Sequence, residues 1–107
     1  MNTMIEYEVD LEVDEQVAAA FQAWLTGHVQ DMLALPGFLS ATCWRVVDPA
    51  PASGRSSLCV RYVLADRAAL AAYLDGAAVR MRSEGLARLG LRFQAPPRVL
   101  QPSWTQA

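Results

Sequence analysis

The chain contains no lysine, so its nine basic residues are all arginine. That absence removes a Schiff-base amine and a lysine phosphate clamp from the available chemistry and leaves arginine as the only permanent side-chain cation. Cysteine is scarce: Cys43 and Cys59 are too few for a disulfide framework. The N-terminus has no basic segment followed by an apolar run of the kind that directs export. Together these features point to a cytoplasmic protein with reduced thiols. No apolar run approaches the roughly 20 residues that span a bilayer. A basic field is missing too, the formal net charge being -2, so nothing draws the polyanionic backbone of a nucleic acid. Phosphate loops, G-x-S-x-G elbows and dinucleotide fingerprints are absent. Histidine occurs once, at His28.

What is present is organised around Val13 to Phe38, the longest helical pattern. At roughly 100° per residue, Val17, Phe21, Trp24, Leu25, His28, Met32 and Leu35 fall in one stripe with His28 near its middle, while Glu15, Gln22, Thr26 and Gln30 take the other side. Such a helix lies on a sheet and directs His28 inward. With 107 residues, 53% hydrophobic and 19% charged, the chain is expected to form one cored domain over residues 1–107, its C-terminal tail starting near residue 95.

Ahead of the helix, Met4 to Val13 alternates, with Ile5, Tyr7, Val9, Leu11 and Val13 on one face and Glu6, Glu8, Asp10 and Glu12 on the other. That is a strand with one buried face. Asp14 is placed to cap the helix, Glu15 favours its positive end, and Pro36-Gly37 stop it. Phe38 to Val47 and Ser57 to Ala65 read as a hairpin joined by a loop dense in proline, serine and glycine. Asp66 caps a second helix through Leu74, Asp75-Gly76 breaks it, and Ala77 to Leu89 is a further helical segment. Leu91 to Ala95 alternates as a fourth strand that Pro96-Pro97 ends. The tail beyond shows no periodicity.

The order β-α-β-β-α-β is the split βαβ pattern of a ferredoxin-like α+β fold. Right-handed crossovers then give a four-stranded antiparallel sheet of order 4-1-3-2 with the helices on one face. Six of the eleven acids lie at or before Glu15 and five of the nine arginines from Arg80 onward. With the first strand flanked by the third and fourth, its acidic face is expected to meet Arg61 on one side and Arg92 on the other. The same face would repel phosphate, whereas RNA-binding sheets of this topology present aromatic and basic residues there.

Several stretches together carry a family pattern: W-L-x-x-H-x-x-D-x-L from Trp24 to Leu33, G-F-x-S-A from Gly37 to Ala41, Arg45, and R-x-R-x-E-G-x-x-R-x-G from Arg80 to Gly90. The chain resembles a bacterial domain-of-unknown-function family of the dimeric α+β barrel group, whose best-known relatives are the antibiotic biosynthesis monooxygenases. Gln30 stands where that family commonly has proline, and Leu89 where it has phenylalanine. The resemblance implies two subunits packed sheet against sheet, with small ligands held between each sheet and its helices. It transfers no catalytic residue, because the asparagine, tryptophan and histidine motifs of the monooxygenases have no match here. Haem-handling relatives exist in the group, yet nothing in this chain beyond His28 supports haem, and no cofactor is expected.

His28 is the candidate for chemistry, since an ordinary pKa near 6.5 suits proton transfer at neutral pH. Trp24 and Met32, one turn away on either side, would wall a small apolar pocket, with Tyr7 or Tyr62 supplied from the sheet. Such a site suits an apolar, aromatic or enolisable small molecule handled without a cofactor, and predicts a cavity on the order of 300 Å3 or more. The alternative is a non-catalytic structural or interaction module, with His28 packed in the core and one ring nitrogen bonded to a carbonyl or a tyrosine. Metal is not expected: His28, Cys43 and Cys59 lie on elements that need not converge and lack ligand spacing. The predicted assembly is a twofold homodimer with a partly wet, charge-paired sheet interface. Trp104 of the tail would help to cover it, and the total buried area would exceed about 1,200 Å2.

Overall fold

The computed structural model describes residues 3–89, 92–93 and 97–106. Strand β1 (Ile5–Asp14) is followed by one 3-10 turn (Glu15–Val17), helix α1 (Ala18–Leu33), and the hairpin β2 (Phe38–Arg45) and β3 (Arg55–Leu64). Then come α2 (Arg67–Asp75), α3 (Ala78–Leu89) and two short strands, β4 (Arg92–Phe93) and β5 (Arg98–Leu100). The strand order β2-β3-β1-β4 is the expected 4-1-3-2 read from the other edge, with every pairing antiparallel.

Alternation in β1 does what its pattern dictates. Ile5, Tyr7, Leu11 and Val13 join Leu58, Val60, Tyr62 and Leu64 of β3 in one core, against Phe21, Leu25 and Met32 of α1, Leu70 and Tyr73 of α2, and Met81 of α3. The helices therefore cover one face of the sheet. Glu8, Cys59 and Arg61 lie on the other. The local stops and starts follow from single residues: Asp14 accepts from the Gln16 amide at 3.1 Å, and Asp66 from the Ala69 amide at 2.9 Å, each relieving an orphan donor. Gly37 adopts a positive φ of 83°, and a Cβ there would overlap that of Ala69. The Gly37 carbonyl also accepts from the Ala65 amide at 2.8 Å, so a residue without a side chain locks the α1–β2 turn onto α2.

Two expectations about the C-terminal part need correction. The fourth strand was expected over Leu91 to Ala95; β4 comprises Arg92–Phe93, and residues 91 and 94–96 lie outside the described set. The tail is not merely irregular, because Arg98–Leu100 re-enters the sheet as β5, pairing Arg98 with Glu8 and Leu100 with Glu6. A short edge strand after Pro96-Pro97 has one hydrogen-bonded side and little periodicity of its own, so it follows from its partner rather than from its pattern. Of the described helices none is long and apolar enough to cross a membrane.

Candidate functional site

The residues expected to form a pocket do come together. Tyr7 and Tyr62 are direct cross-strand partners of β1 and β3, with ring centroids 6.4 Å apart. Above them, α1 presents Trp24, His28 and Met32 at four-residue intervals, which places them on one helix face. All five line a hollow between α1 and the sheet, closed further by Tyr73 of α2 and Met81 of α3. Tyr73 was missed because its helix was read only for its boundaries; the Leu70-Tyr73 spacing of one buried helical face was the available signal. Tyr73 meets Tyr7 edge-on at 5.8 Å and Phe38 at 5.4 Å, so the phenol-bearing wall is a rigid aromatic cluster.

His28 stacks on Trp24 with centroids 4.6 Å apart and planes at 20°, and Trp24 in turn meets Phe21 at 5.7 Å. The ring is half-buried rather than mostly buried. Its Nδ1 is buried and has no hydrogen-bond partner, which corrects the expectation of a bonded ring nitrogen. The cause is geometric: the surrounding walls are aromatic and aliphatic, so nothing reaches that atom. Burial lowers the His28 pKa below its ordinary 6.5, partly offset by the negative charges of Glu84 and Asp31. Burial, together with Tyr73, Cys43 and Tyr7 nearby, raises that of Tyr62 and holds it as a neutral phenol. At neutral pH the hollow thus offers a neutral imidazole and phenol groups, and no permanent charge. Its volume is about 40 Å3, room for roughly one water and well short of the ~300 Å3 expected of a small-molecule site.

The opposite sheet face holds a second constellation. Glu8 is 3% exposed. One of its carboxylate oxygens accepts from Arg61 Nη2 at 3.3 Å and from the Cys59 thiol at 3.0 Å; the other is bonded by Arg98. Burial alone would raise the Glu8 pKa, but the bonds from Cys59, Arg98 and Arg61 outweigh it and hold the carboxyl below its usual range. The expected pairing with Arg61 is found. On the other side the partner is Arg98; Arg92 stands opposite Glu12 in register. With Asp10, Glu8 and Cys59 form a group whose ligand atoms lie within 4.8 Å of one another. The geometry differs from the expected scatter of cysteine and histidine. However, burial and the adjacent carboxylates push the Cys59 thiol up to about 12, and two guanidiniums already engage Glu8, so the donor set is that of a salt-bridge cluster and a poor fit to a soft cation.

Compared with known proteins, residues 4–102 match the profile of the domain of unknown function DUF4286. The chain belongs to that family. Among solved structures, this DUF4286 chain is similar to a variant of SnoaB, a cofactor-independent oxygenase from Streptomyces nogalater, with a TM-score of 0.70 at 16% identity over 96% of each chain. MupZ from Pseudomonas fluorescens gives 0.65 at 20% identity, covering 96% of this chain and 71% of that one. A protein assigned as an antibiotic biosynthesis monooxygenase from Nitrosomonas europaea gives 0.63 at 15%, covering 95% and 90%. At these identities the likeness establishes the α+β ferredoxin-like fold of the monooxygenase-like proteins. No curated protein matches the chain.

Proposed function

We propose that the hollow between α1 and the sheet receives a small apolar or aromatic molecule, with His28 as the neutral base or hydrogen-bond acceptor that orients it. The observation that carries this reading is the orphaned Nδ1: a buried, unpaired ring nitrogen costs stability, and such groups are retained where they have work other than packing. Phenols and an uncharged imidazole suit proton abstraction from an acidic C–H or O–H without a resident cofactor. SnoaB, described as cofactor-independent, is a precedent within the same fold. At about 40 Å3 the hollow has to widen to admit such a ligand, and two of its walls are Met32 and Met81, whose unbranched side chains re-pack at low cost. The test is a titration with 1-naphthol followed by thermal shift and fluorescence. Saturable binding that His28→Ala weakens at least tenfold is expected; absence of binding at millimolar ligand, or equal binding by the variant, rejects the site.

A second reading is favoured by that same small volume: a structural or interaction module in which the aromatic cluster is packing and the sheet surface is the functional object. On either reading a twofold homodimer through the open sheet face is supported by what lies there. Trp44 is 56% exposed beside the Glu8 cluster, and Trp104 of the tail is 76% exposed. A symmetric interface of that kind buries more than about 1,200 Å2. Sedimentation at micromolar protein and ordinary salt should give the mass of two chains; a monomer mass refutes it. A cytoplasmic setting accords with two free thiols, of which Cys59 is buried and held protonated.

A further inference from the structure

Arg45 is the charge that the fold leaves unexplained. It stands opposite Leu58 in the β2–β3 register, and Leu58 is buried on the helix-facing side, so the arginine occupies the core side of its strand. The other described arginines of the sheet are engaged, Arg55 by Glu12, and Arg61 and Arg98 by Glu8. Among the described residues Arg45 has no carboxylate partner. It lines a cleft of about 210 Å3 at the N-terminal end of α1, beyond Phe21 and distinct from the His28 hollow. Val13, Phe21 and Leu58 supply apolar surface; Gln22 and Ser56 add neutral hydrogen-bonding groups; no acid lines it. A snorkelling stem accounts for an exposed guanidinium at a sheet edge, but it requires neither an apolar cleft nor neighbouring donors, nor the exclusion of carboxylates from an acid-rich chain.

We propose that this cleft binds a small monocarboxylate bearing an apolar, ring-sized body. The guanidinium offers two parallel N–H donors to the carboxylate, which the Gln22 amide and Ser56 hydroxyl supplement, while the body lies on Val13, Phe21 and Leu58. The size fits: an apolar cavity of about 150 Å3 accepts benzene, so 210 Å3 holds a ring with a short carboxylate arm, which the His28 hollow does not. The site stands independently of any role for His28.

The experiment is a titration of the full chain with sodium phenylacetate, read by two-dimensional amide NMR. Saturable shifts are expected at the Ala18, Ala19 and Ser56 amides. Affinity should fall at least tenfold in Arg45→Gln, and on the wild type at least tenfold for phenylacetamide, which lacks the charge, and for acetate, which lacks the ring. His28→Ala should bind phenylacetate as the wild type does. No saturable shift at millimolar phenylacetate, undiminished binding by Arg45→Gln, or shifts confined to the His28 hollow overturns the proposal. Acetate or inorganic phosphate binding as tightly as phenylacetate also overturns it, by reducing the site to a nonspecific anion contact. The two wild-type comparisons decide the matter even if the variant folds poorly.

Discussion

Replacing His28 by phenylalanine should stabilise the protein, the reverse of what a core histidine with a bonded ring would show. The wild-type ring buries Nδ1 without a partner, and a desolvated, unsatisfied polar atom costs about 1–3 kcal/mol. Phenylalanine removes that penalty and keeps the stack on Trp24, an aromatic contact worth roughly 0.5–1.5 kcal/mol; the adjoining hollow of about 40 Å3 gives the larger ring room. Allowing for some overpacking, the expected net gain is ~0.5–2 kcal/mol at pH 7, or several degrees in Tm for a domain of this size. The gain should grow on acidification. Because the folded-state pKa of His28 lies below its ordinary 6.5, the unfolded chain binds the proton first, and wild-type stability falls as pH drops below 6.5 toward the folded-state value. The phenylalanine variant lacks that slope. Urea unfolding at pH 7.5, 6.5 and 5.5 reads both effects. A loss of more than about 1 kcal/mol at pH 7.5, or parallel pH profiles for the two proteins, would refute the reasoning.

Other outcomes follow from single contacts. Gly37→Ala should cost about 2–5 kcal/mol in equilibrium unfolding, since it adds a left-handed backbone penalty to an overlap with Ala69; a change under 1 kcal/mol would show that the turn relaxes freely. Asp66→Ala should lose about 1 kcal/mol through the α2 cap, and Asp66→Asn much less. The depressed Glu8 carboxyl contributes stability at neutral pH that is lost as pH falls through its folded-state pKa, below the ordinary 4.5. Glu8→Gln should therefore flatten the acid limb of stability between about pH 4.5 and 2, and an unchanged limb would mean the cluster contributes nothing.

Much of this was legible because period and position agreed. The 2-residue alternation of β1 and the 3.6-residue stripe of α1 decided which side of each element faces the other, and that alone brought Tyr7, Tyr62, Trp24, His28 and Met32 to one hollow. Three things stayed hidden for physical reasons. Whether Nδ1 finds a partner depends on sub-ångström placement of neighbours that periodicity does not encode. The volume of the hollow depends on how Tyr73 and Met81 close it, which is a property of packing between helices whose breaks were visible but whose angles were not. The pairing of Arg98 with Glu8 depends on a strand of three residues, too short to show a period.

That last pairing alters the energetics of assembly. From the sequence, a sheet-to-sheet dimer had to bury strand-one carboxylates at several kcal/mol per unpaired ion, so the acidic face argued for exposure. In the folded chain Glu8 is already 3% exposed and already bonded by Arg61, Arg98 and Cys59, so most of its desolvation is borne by folding before any partner arrives. What a partner would cover is therefore the outer part of Arg61 and Arg98 together with Trp44, a surface locally near charge balance with an exposed indole at its edge. Covering a pre-paired carboxylate costs less than covering a free one, and covering the indole is favourable. The fifth strand, which looked like an irregular tail, is thus the element that makes the acidic face of β1 compatible with a face-to-face dimer, and removing it through Arg98→Ala should weaken association more than it weakens the monomer fold.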